Sequence, residues 1–162
     1  MSDQVEADDM RVPQMRIRLA TPADIPTMMT LERHAATAAH WSKAQYETVF
    51  SNDVPFRVVL VLEEEAAVLG FVAGRAVGEE WEIENIAVAG PARRRGLGTR
   101  LVGEFLDLAR GRGAEAVFLE VRESNFAARR LYEKWAFVET GRRKDYYREP
   151  EEDAIVYRLG LV

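Results

Sequence analysis

Three arginines and two glycines, Arg93, Arg94, Arg95, Gly96 and Gly98, introduce an amphipathic segment of this 162-residue chain. The first turn of a helix has N–H groups without intrahelical partners, and its macrodipole places partial positive charge there. Because glycine has no Cβ atom, an anion can approach such N–H groups closely. The arginines add full positive charges. The pattern predicts a phosphate site, and a solvated arginine-rich turn before an ordinary helix is the alternative.

Two common phosphate-binding motifs do not fit this stretch. The dinucleotide fingerprint G-x-G-x-x-G needs a small residue at the position of Leu101. A P-loop ends in G-K-S/T, whereas Gly98 is followed by Thr99 and then an arginine. The spacing of Arg93, Gly96 and Gly98 instead fits the pattern Arg/Gln-x-x-Gly-x-Gly/Ala.

Two further side chains could carry acid–base chemistry. Glu120 lies near the end of an alternating segment, residues 116–122, on the same face as Phe118. A carboxylate there can act as a base, or it can form a salt bridge at the surface. Tyr132 follows in a short helical segment, either as an acid or as a core tyrosine with its hydroxyl at the rim. The residues alone leave both alternatives open.

Composition excludes several other kinds of chemistry. The chain has no cysteine and only two histidines, His34 and His40, which we expect to be structural or exposed. We therefore expect no thiolate nucleophile, no metal and no Ser-His triad. A net charge of −5 argues against a nucleic-acid surface. The longest aliphatic run, residues 58–62, is too short to span a membrane and no signal peptide is found, so we expect a cytoplasmic protein.

The strand before the glycines has a fault in its alternation. Within residues 81–88 the apolar positions shift from odd (81 and 83) to even (86 and 88). Because side chains alternate faces along a strand, one extra residue is needed to keep both pairs facing the core. This predicts a β-bulge at Glu84 and Asn85, which bends the strand and leaves main-chain groups unpaired.

Periodicity predicts the order strand, two helices, three strands, helix, strand, helix and two strands. Residues 1–14 lack periodicity, so we expect a mobile tail followed by one domain of residues 15–162. A charged loop is predicted for residues 142–152. A run of glutamates between the second and third strands predicts a solvated hairpin turn: Glu63, Glu64 and Glu65.

The motif, the bulged strand before it and this order of elements resemble the Gcn5-related N-acetyltransferases, the GNAT superfamily. The resemblance covers residues 15–160. It implies an α/β fold with a mixed, strongly twisted β-sheet of about seven strands, a bulged fourth strand and about four helices. It also implies acetyl-CoA as the cofactor and a primary amine as the acceptor.

Within the superfamily, the chain is similar to the RimI-type enzymes, which acetylate the N-terminal alanine of a small-subunit ribosomal protein. The acceptor is therefore expected to be a protein or peptide N-terminus. The matching residues are Trp41-Ser42, Asn85-Ile86-Ala87-Val88, Arg94-Arg95-Gly96-Leu97-Gly98, Leu119-Glu120-Val121-Arg122, Ser124-Asn125, Leu131-Tyr132-Glu133, Phe137, Tyr146-Tyr147 and Glu152-Asp153-Ala154-Ile155.

This resemblance implies roles for particular residues. Glu120 would be the base, and Tyr132 the acid that protonates the coenzyme A thiolate. Asn125 would lie beside the pantetheine arm. The main chain of the bulged strand, at Ile86, Ala87 and Val88, would bind this arm and polarise the thioester carbonyl. The phosphates would lie on the glycine motif: Arg93, Arg94, Arg95, Gly96, Leu97, Gly98 and Thr99. The acceptor would enter beside these residues: Trp41, Glu84, Tyr146 and Tyr147.

The chain departs from the family pattern at two places. Ala136 stands where a left-handed helix end favours glycine, at a cost of about 1 kcal/mol if that geometry is kept. The loop at residues 142–152 matches poorly, and such loops choose substrates. Two alternatives therefore stay open: an enzyme of this fold acting on a lysine or small-molecule amine, and a non-catalytic acyl-CoA sensor. We expect a monomer or weak homodimer, without nucleic-acid or membrane partners.

Overall fold

The structure is a computed structural model that describes residues 14–35, 39, 41–51 and 56–162. His40 and all of the predicted tail except Gln14 lie outside the described residues. The strands are β1 (Met15–Leu19), β2 (Arg57–Glu64), β3 (Ala67–Val77), β4 (Glu80–Val88), β5 (Ala116–Arg122), β6 (Val138–Tyr147) and β7 (Glu152–Gly160). The helices are α1 (Ile25–Arg33), α2 (Lys43–Val49), α3 (Leu97–Gly111) and α4 (Phe126–Lys134). This order of strands and helices is the predicted one.

All seven strands belong to one mixed sheet in the order β1-β2-β3-β4-β5-β7-β6. Neighbouring strands are antiparallel except β4 and β5, which run parallel. The pairing of β4 with β5 covers only a short register, from Glu80↔Ala116 to Ile83↔Leu119. Beyond these pairs the strands separate, and a gap opens between their carboxyl ends near the middle of the sheet. The predicted α/β fold with a mixed sheet is confirmed.

The predicted β-bulge is confirmed at Glu84. Ala73 of β3 pairs with Asn85, and the next residue, Gly74, pairs with Ile83, so Glu84 has no partner on β3. Because of this extra residue, apolar side chains before and after the bulge pack against the same core. The bulge also places the Glu84 side chain beside the gap between β4 and β5.

Helices cover both faces of the sheet. On one face, α3 and α4 bury Leu101, Phe105 and Tyr132 against the strands. On the other face, α1 and α2 bury Met28 and Tyr46. Strand β2 contributes to both cores, which is why its centre reads as a continuous apolar run. No helix in the described part of the chain is long and apolar enough to cross a bilayer.

The predicted charged loop at residues 142–152 is wrong over its first half. Strand β6 continues to Tyr147 and pairs with β7, with register shifts after Glu139 and after Arg143. Nearly every residue of β6 is exposed because it is the outer strand of the sheet. An exposed edge strand needs no apolar alternation, and charged side chains are common there. The sequence pattern therefore could not distinguish it from a loop.

The predicted solvated turn is wrong for two of its three glutamates. Glu63 is buried in β2 and pairs with Arg16 and Arg18 of β1. Glu64 pairs with Arg95, with 2.5 Å between the Glu64 Oε2 and Arg95 Nη2 atoms. Only Glu65 lies in the turn itself. These acidic side chains connect neighbouring elements of the fold.

Helix α4 ends in the left-handed conformation at Ala136, with φ of 68°, so the geometry that favours glycine is kept without one. The Phe137 N–H donates to the Tyr132 carbonyl at 3.1 Å, and the Ala136 N–H donates to the Glu133 carbonyl at 2.9 Å. These bonds satisfy carbonyl groups at the end of the helix. They also fix the end of α4 that carries Tyr132.

Candidate active site

Two adjoining cavities lie along the gap between β4 and β5. Both are lined by Ile86 and Ala128, so they form one continuous cleft. The first, about 220 Å³, we call the glycine cavity, and its lining includes Ile86, Ala87, Val88, Arg93, Gly96, Gly98, Thr99, Ala127, Ala128 and Leu131. The second, about 300 Å³, we call the carboxylate cavity, and its lining includes Trp41, Glu82, Glu84, Asn85, Glu120, Asn125, Tyr132, Tyr146 and Tyr147.

The glycine cavity lies at the first turn of α3. Gly96 precedes this turn with φ of 75°, and no side chain of the described residues caps the helix there. The first N–H groups of α3 are thus left for a ligand. A Cβ atom at Gly98 would meet only Leu131 and Val88, at 3.5 and 3.8 Å. Nothing lies within 4 Å of a Cβ atom placed at Gly96, so the space beside the start of α3 is open, as an anion site requires.

The three arginines of the motif point in different directions. Arg93 lines the glycine cavity and donates to the Val88 carbonyl at 3.1 Å and to the His34 carbonyl at 2.5 Å. Arg95 instead pairs with Glu64. Neither the Arg94 nor the Arg95 side chain lines either cavity, and the side chain of the buried Leu97 packs in the core. The structure thus brings Arg93, but not the other two arginines, to the predicted cofactor site.

Glu84 projects from the bulge into the carboxylate cavity. Its Oε2 atom lies 3.7 Å from Arg57 Nη2 and 3.8 Å from Arg75 Nε. Its Oε1 atom is buried and has no hydrogen-bond partner among the described residues. Burial raises the pKa of Glu84, although the charges of Arg57 and Arg75 oppose the shift. The Glu84 side chain is 16% exposed, so an incoming cation can approach the carboxylate, whereas Oε1 itself is closed off from solvent.

Glu120 lines the same cavity and has a closer charged partner than Glu84 has. Its Oε1 atom lies 2.7 Å from Arg143 Nε, and the Arg143 guanidinium also lies 5.5 Å from the centre of the Tyr146 ring. The side chains of Glu84 and Glu120 are equally exposed, at 16%. The two carboxylates therefore differ in their partners rather than in their burial.

Three tyrosines surround these carboxylates. Tyr132 is buried and packs edge-on against Phe137, with 5.6 Å between ring centres. Burial raises the pKa of Tyr132. Burial and the charge of Glu120 raise the pKa of Tyr147 to about 12, and the charge of Glu120 raises the pKa of Tyr146. All three hydroxyls therefore keep their protons at neutral pH and can donate hydrogen bonds.

The other predicted site residues also reach the carboxylate cavity. Asn125 caps α4, where its Oδ1 atom accepts from the Ala128 N–H at 3.1 Å, and its side chain borders the carboxylate cavity rather than the glycine cavity. The Trp41 ring packs edge-on against Tyr46, with 5.4 Å between ring centres. Both catalytic candidates and all four acceptor candidates thus line one cavity, together with Asn125.

Sequence reasoning missed three residues at this site: Arg143, Glu32 and the side chain of Asn85. Arg143 lay in the predicted loop and carried no signal. Glu32 did carry one, because it follows Met28 at helical spacing on the buried face of α1. A charged residue on a buried helix face needs partners, and Asn85 is one of them.

Comparisons with known proteins identify similar sequences and similar folds. Residues 25–137 match the acetyltransferase (GNAT) family. The chain is 34% identical over 147 residues to the ribosomal protein bS18-alanine N-acetyltransferase of Salmonella typhimurium, covering 90% of this chain and 97% of that protein. The crystal structure of the ribosomal-protein-S18-alanine N-acetyltransferase from Escherichia coli is similar, with a TM-score of 0.80 and 30% identity, over 91% of this chain and 94% of that one. Arabidopsis thaliana NAA60 in complex with acetyl-CoA shares the fold, with a TM-score of 0.80 at 18% identity over 91% of this chain and 100% of that one.

Proposed function

The chain belongs to the acetyltransferase (GNAT) family, and we propose that it transfers the acetyl group of acetyl-CoA to a protein N-terminus. The acceptor we propose is the N-terminal alanine of ribosomal protein bS18, because relatives at 34% identity are named for alanine of that protein. One observation carries the proposal: a cavity lined by two carboxylates, Glu84 and Glu120, adjoins a cavity at the first turn of α3, where no side chain of the described residues caps the helix. An amine and an acetyl donor can thus meet in one cleft.

The residues of the glycine cavity fit acetyl-CoA. We propose that the first turn of α3 and Arg93 hold its phosphates, because the N–H groups there lack a capping side chain. The main chain of Ile86, Ala87 and Val88 lies beyond the last β4–β5 pair, so no strand in the described part of the chain neighbours these residues on the β5 side. They can hydrogen-bond the amide groups of the pantetheine arm. When bound, acetyl-CoA supplies an acetyl group activated as a thioester.

The acceptor must lose a proton before it can attack. An α-amino group has an ordinary pKa of about 7.7–8.0, so much of it is protonated at neutral pH. We propose that Glu84 attracts the ammonium group by its charge. Glu120 then takes the proton, directly or through water, after Arg143 moves aside. Separating an ion pair with a half-exposed partner costs only about 0–1 kcal/mol.

Tyr132 is proposed as the proton donor to the departing sulfur. Its hydroxyl is protonated at neutral pH because burial raises its pKa. The same shift makes it a weak acid, so it gives up its proton only as negative charge develops on the sulfur. Tyr132 lies on α4, which borders both cavities through Ala128. This position suits a group that acts at the boundary between donor and acceptor.

We propose a monomer or weak homodimer, with residues 15–162 as the acetyltransferase domain. A ribosomal-protein acceptor would place the enzyme in the cytoplasm. The two alternatives predict activities that differ from the proposed one. A lysine-directed enzyme would acetylate side chains, and a sensor would bind acetyl-CoA without turnover.

Peptides that begin with alanine test the proposal. A free N-terminal alanine should be acetylated, while the same peptide with its amine blocked and a lysine inside should not react. Glu120→Gln should lower kcat and shift its pH profile upward, because solvent must then remove the proton. Equal reaction of the blocked peptide would favour the lysine alternative. Binding of acetyl-CoA without transfer to any amine would favour the sensor.

A further inference from the structure

A buried carboxylate behind the acceptor side of the cleft is not used by the proposed chemistry. Glu32 lies on α1 and is only 3% exposed. No lysine, arginine or histidine of the described residues forms an ion pair with it. A buried charge without a counter-ion is costly unless hydrogen-bond donors replace the lost water.

The donors to Glu32 come from two other segments. The Trp41 N–H donates to both carboxylate oxygens, at 3.0 and 3.1 Å. The side-chain amide of Asn85 donates to Glu32 Oε1 at 2.5 Å, and its own Oδ1 atom accepts from the Ala39 N–H at 3.1 Å. Asn85 is itself buried, at 3% exposed. One carboxylate and one amide therefore join α1, the bulge of β4 and the main chain at Ala39 and Trp41.

The groups joined by these hydrogen bonds also form part of the carboxylate cavity, where we propose that the acceptor binds. Ala39, Trp41 and Asn85 all line the carboxylate cavity, and Asn85 directly follows Glu84. We call the part of the cavity lined by Ala39 and Trp41 the Trp41 wall. Its position relative to Glu84 depends on hydrogen bonds that converge on Glu32. The glycine cavity, by contrast, has neither Glu32 nor Trp41 in its lining.

We propose that Glu32 and Asn85 are positioning residues that hold the Trp41 wall at the distance from Glu84 that the acceptor requires. The inference rests on the proposed function for the identity of the acceptor. The hydrogen-bond network around Glu32 does not depend on that function. The negative charge matters because hydrogen bonds to an ionised group are roughly twice as strong as bonds between neutral groups. Glutamine would keep the shape of the side chain and weaken this hold on the Trp41 N–H.

Steady-state kinetics of Glu32→Gln test the proposal with an N-terminal alanine peptide. The acceptor KM should rise about fivefold or more, because a charge-assisted bond is replaced by a neutral one. The KM for acetyl-CoA should stay within about twofold of wild type. Asn85→Ala, which removes the other half of the network, should raise the acceptor KM at least as much. Glu47→Gln is the matched control, since it makes the same charge change at an exposed position of α2.

Amide hydrogen exchange gives a second readout that needs no acceptor. The Trp41 and Ala39 amides should exchange faster in Glu32→Gln and in Asn85→Ala than in wild type or Glu47→Gln. If no peptide is acetylated by the wild type, the proposed function fails, and the exchange rates still decide whether the network holds the wall. Unchanged exchange and an unchanged acceptor KM in Glu32→Gln would overturn the inference. An equal rise in both KM values would also overturn it, because it would indicate a general loss of structure.

Discussion

The two cavities of the cleft are made of different parts of the protein. The glycine cavity is formed mainly by one stretch, residues 86–99, and by small or apolar residues of α4. It offers main-chain N–H groups and one arginine. The carboxylate cavity is formed by side chains from five separate segments, around Trp41, the bulge, the end of β5, α4 and the end of β6. It offers carboxylates, hydroxyls and aromatic rings.

This difference matters for how each ligand is recognised. A site made of main chain depends on the conformation of one stretch and tolerates many side-chain changes that preserve it. A site made of side chains from distant segments can change its ligand one residue at a time. We therefore expect the KM for acetyl-CoA and the KM for the acceptor to respond to different substitutions.

The largest effect is expected from Tyr132→Phe, at the boundary between the cavities. Only the hydroxyl is removed, so folding and the KM for acetyl-CoA should largely survive. The value of kcat should fall by about 10²-fold or more if the proton assists departure of the sulfur. Single-turnover rates with saturating substrates measure this. A variant with wild-type kcat would mean that Tyr132 only packs against Phe137.

Glu84→Gln should lower kcat/KM for the acceptor by about tenfold or more. The same substitution should raise the free energy of unfolding. Burial raises the pKa of Glu84 above its ordinary value of 4.5. The stability that this group contributes is therefore present below that value and is lost as pH rises through the folded-state pKa. Once the group is ionised, its buried charge destabilises the fold, and glutamine removes that charge.

Thermal unfolding across pH checks the sign of this effect. The midpoint for Glu84→Gln should exceed that of wild type at pH 7, and the difference should shrink as pH falls toward 4.5. A lower midpoint at pH 7 would mean that Arg57 and Arg75 outweigh burial. Glu104→Gln is a control for the change in charge, because Glu104 lines neither cavity of the cleft.

Gly98→Val should lower the affinity for coenzyme A by tenfold or more, which is about 1.4 kcal/mol of binding free energy. A Cβ atom fits at Gly98 without a clash, so the variant should fold, but the added methyl groups extend into the cavity. Gly111→Val is the matched control, because nothing lies within 4 Å of a Cβ atom at that end of α3. Calorimetric titration with coenzyme A that finds the same affinity in both variants would contradict the phosphate assignment.

Arg143→Met should give the smallest change, a fall of up to about fivefold in the acceptor KM, because a salt bridge of this exposure contributes roughly 0–1 kcal/mol. Its removal leaves Glu120 free for the ammonium group. Arg142→Met is the control, since Arg142 pairs with Glu123 and Asp153 instead. A rise in the acceptor KM would instead indicate that Arg143 contacts the acceptor.

The parts that could be predicted from the sequence are those set by local pattern. The break in alternation located the bulge at Glu84 because one extra residue shifts every later side chain to the other face. The glycine motif located the start of α3, while the sequence left open whether the end of α4 stays left-handed at Ala136, as it does. Each of these features is decided within a few consecutive residues.

The parts that could not be predicted depend on contacts between distant segments. Arg143 meets Glu120 only because β6 pairs outside β7, and nothing in an exposed, charged edge strand indicates that pairing. Glu63 and Glu64 resemble a solvated turn until their arginine partners on β1 and after β4 are known. In both cases the sequence gives the charge of each side chain and not its partner.

The short pairing of β4 with β5 has a thermodynamic consequence. From Glu84 to Val88 no strand of the described residues lies beside β4 on the β5 side, so a ligand that bound there could take up its free main-chain groups. A ligand that binds the folded chain and not the unfolded chain adds about 2.7 kcal/mol at a free concentration of 100 times its Kd. The melting temperature should therefore rise with the concentration of acetyl-CoA. In a cell, the lifetime of this protein would follow the supply of its own acetyl donor.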